Sequence, residues 1–193
     1  MEGDYFNIID KNFSSLVSPK HFFDDSNYLT SNWKDYKSEK SNTYNIKYYV
    51  NIDRSRTFRW IADFQLPKNK GTKDLHKVYI PAANGSLDWV LGKPFYGEPN
   101  SVCSQTFLVI GYDPNKHNFN EIQCKNIISY IKTKFFRYLV SIKKNTQNGP
   151  RGVYQFVPMQ DFSKPWTDEE LYKKYNLSDE EILFIETMIK PME

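Results

Sequence analysis

Between Ile122 and Gln160 the chain carries seven Lys or Arg residues and no Asp or Glu. The seven are Lys125, Lys132, Lys134, Arg137, Lys143, Lys144 and Arg151. A solvated helix usually mixes charge signs, so a one-signed run of this length restricts both what the segment packs against and what it faces. Within it Ile127, Ile128, Ile131, Phe135, Leu139 and Ile142 recur at spacings of three and four. That period predicts one long amphipathic helix, apolar toward a core and cationic outward. The NTQNGP string at 145–150 ends it with turn-forming residues. VYQFV at 153–157, β-branched and aromatic, reads as a strand.

The remaining segments predict the partners of that helix. NIKYYVNI at 45–52 and HKVYIPAA at 76–83 read as strands. SQTFLVIG at 104–111 is apolar through its middle and reads as a central strand. Residues 56–66 stay open between strand and short helix. Residues 1–43 are polar and irregular, with turns that pin aromatic side chains. At the end, Thr167 with Glu170 and Ser178 with Glu181 are two capping boxes, so two short helices follow. Leu171, Tyr172 and Tyr175 give the first an apolar face; Ile182, Ile185 and Ile189 do so for the second. Residues 161–193 hold nine acidic and four basic residues. The acids at the two helix starts suit the positive helix ends and read as capping chemistry. The expectation is an α+β fold: a mixed or antiparallel sheet packed on one long helix, with a small two-helix C-terminal tail. Its parts are a variable N-terminal part (1–75), a sheet-plus-helix core (76–166) and the helical tail (167–193).

Several function classes lose support. Two cysteines, Cys103 and Cys124, are too few for a disulfide framework and lack metal spacing, so buried reduced thiols in a cytoplasmic protein are expected. No apolar run approaches the roughly 18 residues of a membrane span, and the N-terminus has no secretory h-region. His21, His76 and His117 lack a Ser or Cys partner set. Asp113, Glu121 and Lys125 can be threaded as a Mg²⁺ nuclease triad, yet Glu121 and Lys125 sit four apart, where an ordinary helical ion pair forms. An acidic tail that docks a partner subunit is a further reading.

The basic helix and its following turn resemble an electrostatic footprint for phosphate. Lys132, Lys134, Arg137, Lys143, Lys144 and Arg151 are the expected phosphate contacts. For base contacts, Asn and Gln can pair bidentately with adenine and Arg with guanine, and polar residues on loops are the candidates. Asn84, Ser86, Asn100 and Gln105 meet that description. Phe135, Phe136, Tyr154 and Phe156 read as core rather than as stacking platforms.

Longer strings add a resemblance. TKFFRYLVSIKKNTQ (133–147), then VYQFVPMQDFSKPWTDEELYKKYNLSDEEILFIETMIKPM (153–192), resemble the C-terminal end of bacterial type II restriction–modification proteins. These are adenine-specific DNA methyltransferases, some fused to nucleases. GKPFYGEPNSVCSQTFLVIG (92–111) is similar to the preceding part of the same target-recognition domain. The resemblance runs from about residue 76 onward and covers a specificity module, which implies that the phosphates contacted are those of double-stranded DNA. It implies a methyltransferase catalytic domain in a longer parent chain, with S-adenosylmethionine as the cofactor there and none bound here. The chain itself carries no Gly-rich cofactor loop and no Asn/Asp-Pro-Pro-aromatic loop; YDPN and EPNS, at residues 112–115 and 98–101, are better read as turns.

Overall fold

A computed structural model describes residues 12–24, 28–84 and 90–192. Seven strands form two sheets, and four α-helices accompany them among these residues, an α+β fold. The four-stranded sheet has the order β1 (Val17–Pro19), β7 (Phe107–Ile110), β4 (Lys77–Pro81), β5 (Phe95–Gly97), antiparallel throughout. The three-stranded sheet has the order β3 (Ser55–Ala62), β2 (Tyr44–Ile52), β6 (Ser101–Cys103). There β2 pairs antiparallel with β3 and parallel with β6. The apolar FLVI of β7 is buried at all four positions and hydrogen-bonded on both sides, the central placement its composition predicts. The open segment 56–66 resolves into β3 followed by a 3-10 turn at Asp63–Gln65.

Gly111 closes β7 at φ +80°, and a Cβ there would stand 2.9 Å from the Phe119 ring. Glycine is the residue that tolerates both constraints.

The long helix is two helices. α1 (Glu121–Lys132) and α2 (Lys134–Ser141) meet at Thr133, whose extended backbone (φ −62°, ψ 148°) ends one and caps the other. The Thr133 hydroxyl accepts the Phe136 N–H, and Asp168 accepts the N–H groups of Lys134 and Phe135 at 3.0 and 2.8 Å. Three of the four orphan donors at the start of α2 are thereby satisfied. The break resets the helical phase. Ile127, Ile131 and Phe135 are buried as expected, but Ile142 is 52% exposed, while Phe136 and Val140 take the core positions.

VYQFV is not a strand either. Arg151–Tyr154 is a 3-10 turn, and Pro158 alone makes an isolated bridge, to Asn12. Val153, Tyr154 and Val157 are buried and Gln155 and Phe156 exposed, a turn-like spacing and not an alternation.

α3 (Asp168–Lys174) and α4 (Asp179–Met188) carry both predicted capping boxes. Leu171, Tyr172, Ile185 and Ile189 are buried, whereas Tyr175 is more exposed than its place on that face implies. One apolar cluster joins Phe13 and Val17, the β4 and β7 face, α1, α2 and the two tail helices. A second draws on both sheets and includes Ile46, Tyr48, Tyr79 and Phe107. Cys103 and Cys124 are free and buried; burial pushes both thiols up, Cys124 to about 12. Among the described residues no helix is long and apolar enough to cross a membrane.

Candidate nucleic-acid interface

The turn that ends α2 does not hang free. Gly149 donates its N–H to Ala82 O at 2.8 Å, Asn84 donates to Gln147 O at 2.8 Å, and Ala83 bridges Asn148. These bonds lay the 145–150 turn along the exit of β4. Ala82 donates in turn to Thr106 O at 2.8 Å, so the loop before β7 joins the same assembly. The result is a groove of about 590 Å³ between Lys20, Asn51, Ala83, Gln105, Thr106 and Asn148, floored by Pro81, Leu108 and Pro150. Among the described residues no Asp or Glu lines it. Asn51 donates to Thr106 Oγ1 at 3.4 Å across its wall.

Three of the four expected base-contact residues have a position. Gln105 lines the groove; its backbone N–H is spent on Leu29 O at 3.0 Å, and its side-chain amide reaches Ser31 Oγ at 3.5 Å. Asn84 flanks the groove through Gln147. Asn100 stands elsewhere: it has φ 60°, and its amide donates to Asn45 O at 2.9 Å, which fastens the start of β2. That bond makes it a turn residue. Ser86 lies outside the described residues.

The basic positions divide in two. Lys143 is exposed at the end of α2, donating to Gln155 Oε1 with its ammonium 5.5 Å from the Phe156 ring. Lys144 is half-buried, and burial lowers its pKa. Arg151 is exposed next to Pro150 in sequence, with Nε donating to Ser14 O at 2.8 Å. Lys132 is half-buried. Lys134 is bound to the tail, in an ion pair with Glu186.

Arg137 corrects the sequence reading. Its side chain is fully buried, with Nε and Nη2 donating to Lys132 O at 3.2 and 3.1 Å and Nη1 to Lys190 O at 2.7 Å. Burial also lowers its pKa. A guanidinium satisfying the last carbonyls of α1 cannot also reach a phosphate. Amphipathic reasoning places every cation outside, and here it fails because the break at Thr133 leaves carbonyls that need a buried donor.

Sequence reasoning missed Lys20, Asn51, Thr106 and Asn148. Asn148 sits in the acid-free stretch and could have been taken as more than a helix stop. Asn51 gives no local signal, since only the register of β2 brings it to the groove.

The residues of the nuclease reading have local partners. Asp113 Oδ1 accepts the Asn115 N–H at 2.9 Å in its own turn, and Glu121 pairs with Lys125 at 2.6 Å. Among the described residues no group of three His, Cys, Asp or Glu is placed to hold a metal ion.

Comparison of the chain with family models, with curated proteins and with solved structures gives no match.

Proposed function

We propose that this chain is a recognition module for double-stranded DNA, the target-recognition part of a restriction–modification adenine-N6 methyltransferase. The observation that carries the reading is the groove, which brings Asn51, Gln105 and Asn148 together with the cation of Lys20 and has no acid among its described lining residues. Lys143, Lys144 and Arg151 flank in sequence the 145–150 turn that lines it. Amides pair with base edges, and cations take phosphates and set register. The link to a methyltransferase rests on the string resemblance over residues 92–111 and 133–192. In this reading the catalytic domain and its S-adenosylmethionine belong to a longer parent chain.

The experiment is selection of a random duplex pool on the purified chain, followed by sequencing. A short consensus supports the reading; recovery of the unselected pool overturns it. A methyl-transfer assay with S-adenosylmethionine on the same chain should stay blank.

A protein-docking reading is favoured by a second feature. Phe135, Tyr138, Leu139, Leu177, Phe184 and Ile185 line an apolar groove of about 370 Å³ between α2 and α4, with Glu180 and Glu181 at its rim. A catalytic domain in a parent chain is the partner this surface would meet.

A further inference from the structure

The three-stranded sheet presents a second surface whose chemistry differs from that of the groove. In the β2–β3 ladder Lys47 lies opposite Trp60, Tyr49 opposite Phe58 and Asn51 opposite Arg56. Side chains alternate along a strand, so these six share one face. Tyr48 and Val50, on the other face, are buried. The β6 side of the shared face is covered by the other sheet, with Tyr79 hydroxyl 3.2 Å from Ser101 Oγ. The β3 side is open: Phe58 is 43% exposed, and Arg56 is exposed.

Cations alternate with the rings. Lys47 stands 4.5 Å from the Phe58 centroid, Arg56 4.0 Å from Phe95 and Lys40 5.3 Å from Trp60. Beyond Trp60 the pattern repeats, with Tyr44 and Phe64 6.4 Å apart and Lys37 5.2 Å from Tyr44; Phe64 is 68% exposed. The Lys37 segment is held there by a bridge to Trp60, with reciprocal N–H to carbonyl bonds at 2.8 and 2.9 Å. Lys47 is ion-paired to Glu98, but Lys37, Lys40 and Arg56 have no ion-pair partner among the described residues.

We propose that this strip, from Arg56 through Phe58 and Trp60 to Phe64, binds single-stranded nucleic acid. Open rings interleaved with cations fit a chain that offers base faces and phosphates in alternation. A duplex keeps its base faces stacked and gives the rings nothing. A neutral polysaccharide could use the rings but leaves the cations idle. The strip meets the groove at the Asn51–Arg56 pair, but the proposal does not rest on the duplex reading.

The test is titration of the chain with an oligothymidylate of about 15 nucleotides, which cannot pair with itself. Tryptophan quenching and probe anisotropy are both read. Saturable quenching is expected. Phe58→Ala should weaken binding about tenfold, and Phe58→Tyr should restore it. Lys37→Glu with Lys40→Glu should lower the slope of log affinity against log salt by about 1.4. Inorganic polyphosphate, which has charge without bases, should lose no affinity in Phe58→Ala. Circular dichroism confirms that each variant is folded. Unchanged oligothymidylate affinity in folded Phe58→Ala would overturn the proposal, as would absence of saturable binding at low salt. Lys143→Glu with Lys144→Glu should leave oligothymidylate binding in place. Its loss there would move the single strand to the groove and discard the strip.

Discussion

The Arg137 guanidinium donates to the Lys190 carbonyl across 2.7 Å, and so ties the second helix of the acid-free stretch to the last residues described. The same group holds Lys132 O and Thr133 O where α1 ends. Arg137→Met should therefore cost about 3 kcal/mol, because buried carbonyls lose their donors. Arg137→Lys should recover little of this, since an ammonium lacks the planar fork that reaches several carbonyls at once. Urea unfolding measures both. Duplex affinity per folded molecule should not change.

Phe135 stacks on Tyr175 with ring centroids 5.1 Å apart and is 5% exposed. Phe135→Ala should destabilise by about 3–5 kcal/mol. Lys132→Ala should change stability little, because that side chain is only half-buried at the end of α1. Thr167→Ala and Ser178→Ala should each cost about 1 kcal/mol, because each removes the hydroxyl that caps the third residue of its helix. The check is the same unfolding series, read beside DNA affinity, which the two cap variants should leave intact.

These elements show what was legible in the sequence. Capping boxes are local, since a hydroxyl and a carboxylate three residues apart suffice, and both tail helices begin where the strings place them. The strands at 44–52, 77–81 and 107–110 follow from alternation and apolar runs. The break at Thr133 was not legible, because the carboxylate that fixes it, Asp168, comes from more than thirty residues away. The loss of the VYQFV strand has a similar cause: a strand needs a neighbouring edge, and there only Pro158 finds one, at Asn12. Of the candidate site, Gln105 and the end of the basic helix were readable as loop amide and cation run. Asn51 was not, because cross-strand register alone delivers it.

His21 gives stability a pH dependence. Its Nε2 donates to Thr72 Oγ1 at 2.9 Å, and the Thr72 hydroxyl donates to Tyr112 O, also at 2.9 Å. Nδ1 is then the acceptor for the Ser18 hydroxyl at 2.9 Å, so the ring is held neutral. Burial, with Lys68 and Lys77 nearby, lowers its pKa from 6.5 to about 4. Between those values the unfolded chain binds the proton and the folded chain does not. The contribution is fully present above pH 6.5 and is lost as pH falls toward 4, by about 3 kcal/mol in all. His21→Gln should remove that part of the slope. Unfolding free energies of the two proteins across pH 4–7 measure the difference.

The central claim, a proposal, is that the groove and the basic residues flanking its 145–150 turn hold duplex DNA. The most direct measurement is duplex affinity against salt concentration, by fluorescence anisotropy, on a selected and a scrambled duplex. Each cation that neutralises a phosphate contributes about 0.9 to the slope. Lys143→Glu with Lys144→Glu should therefore lower the slope by about two and weaken both duplexes alike, since phosphate contacts carry no sequence information. Gln105→Ala should weaken the selected duplex alone and leave the slope intact. A slope unchanged by the double reversal, together with a selected duplex indifferent to Gln105→Ala, would contradict the account.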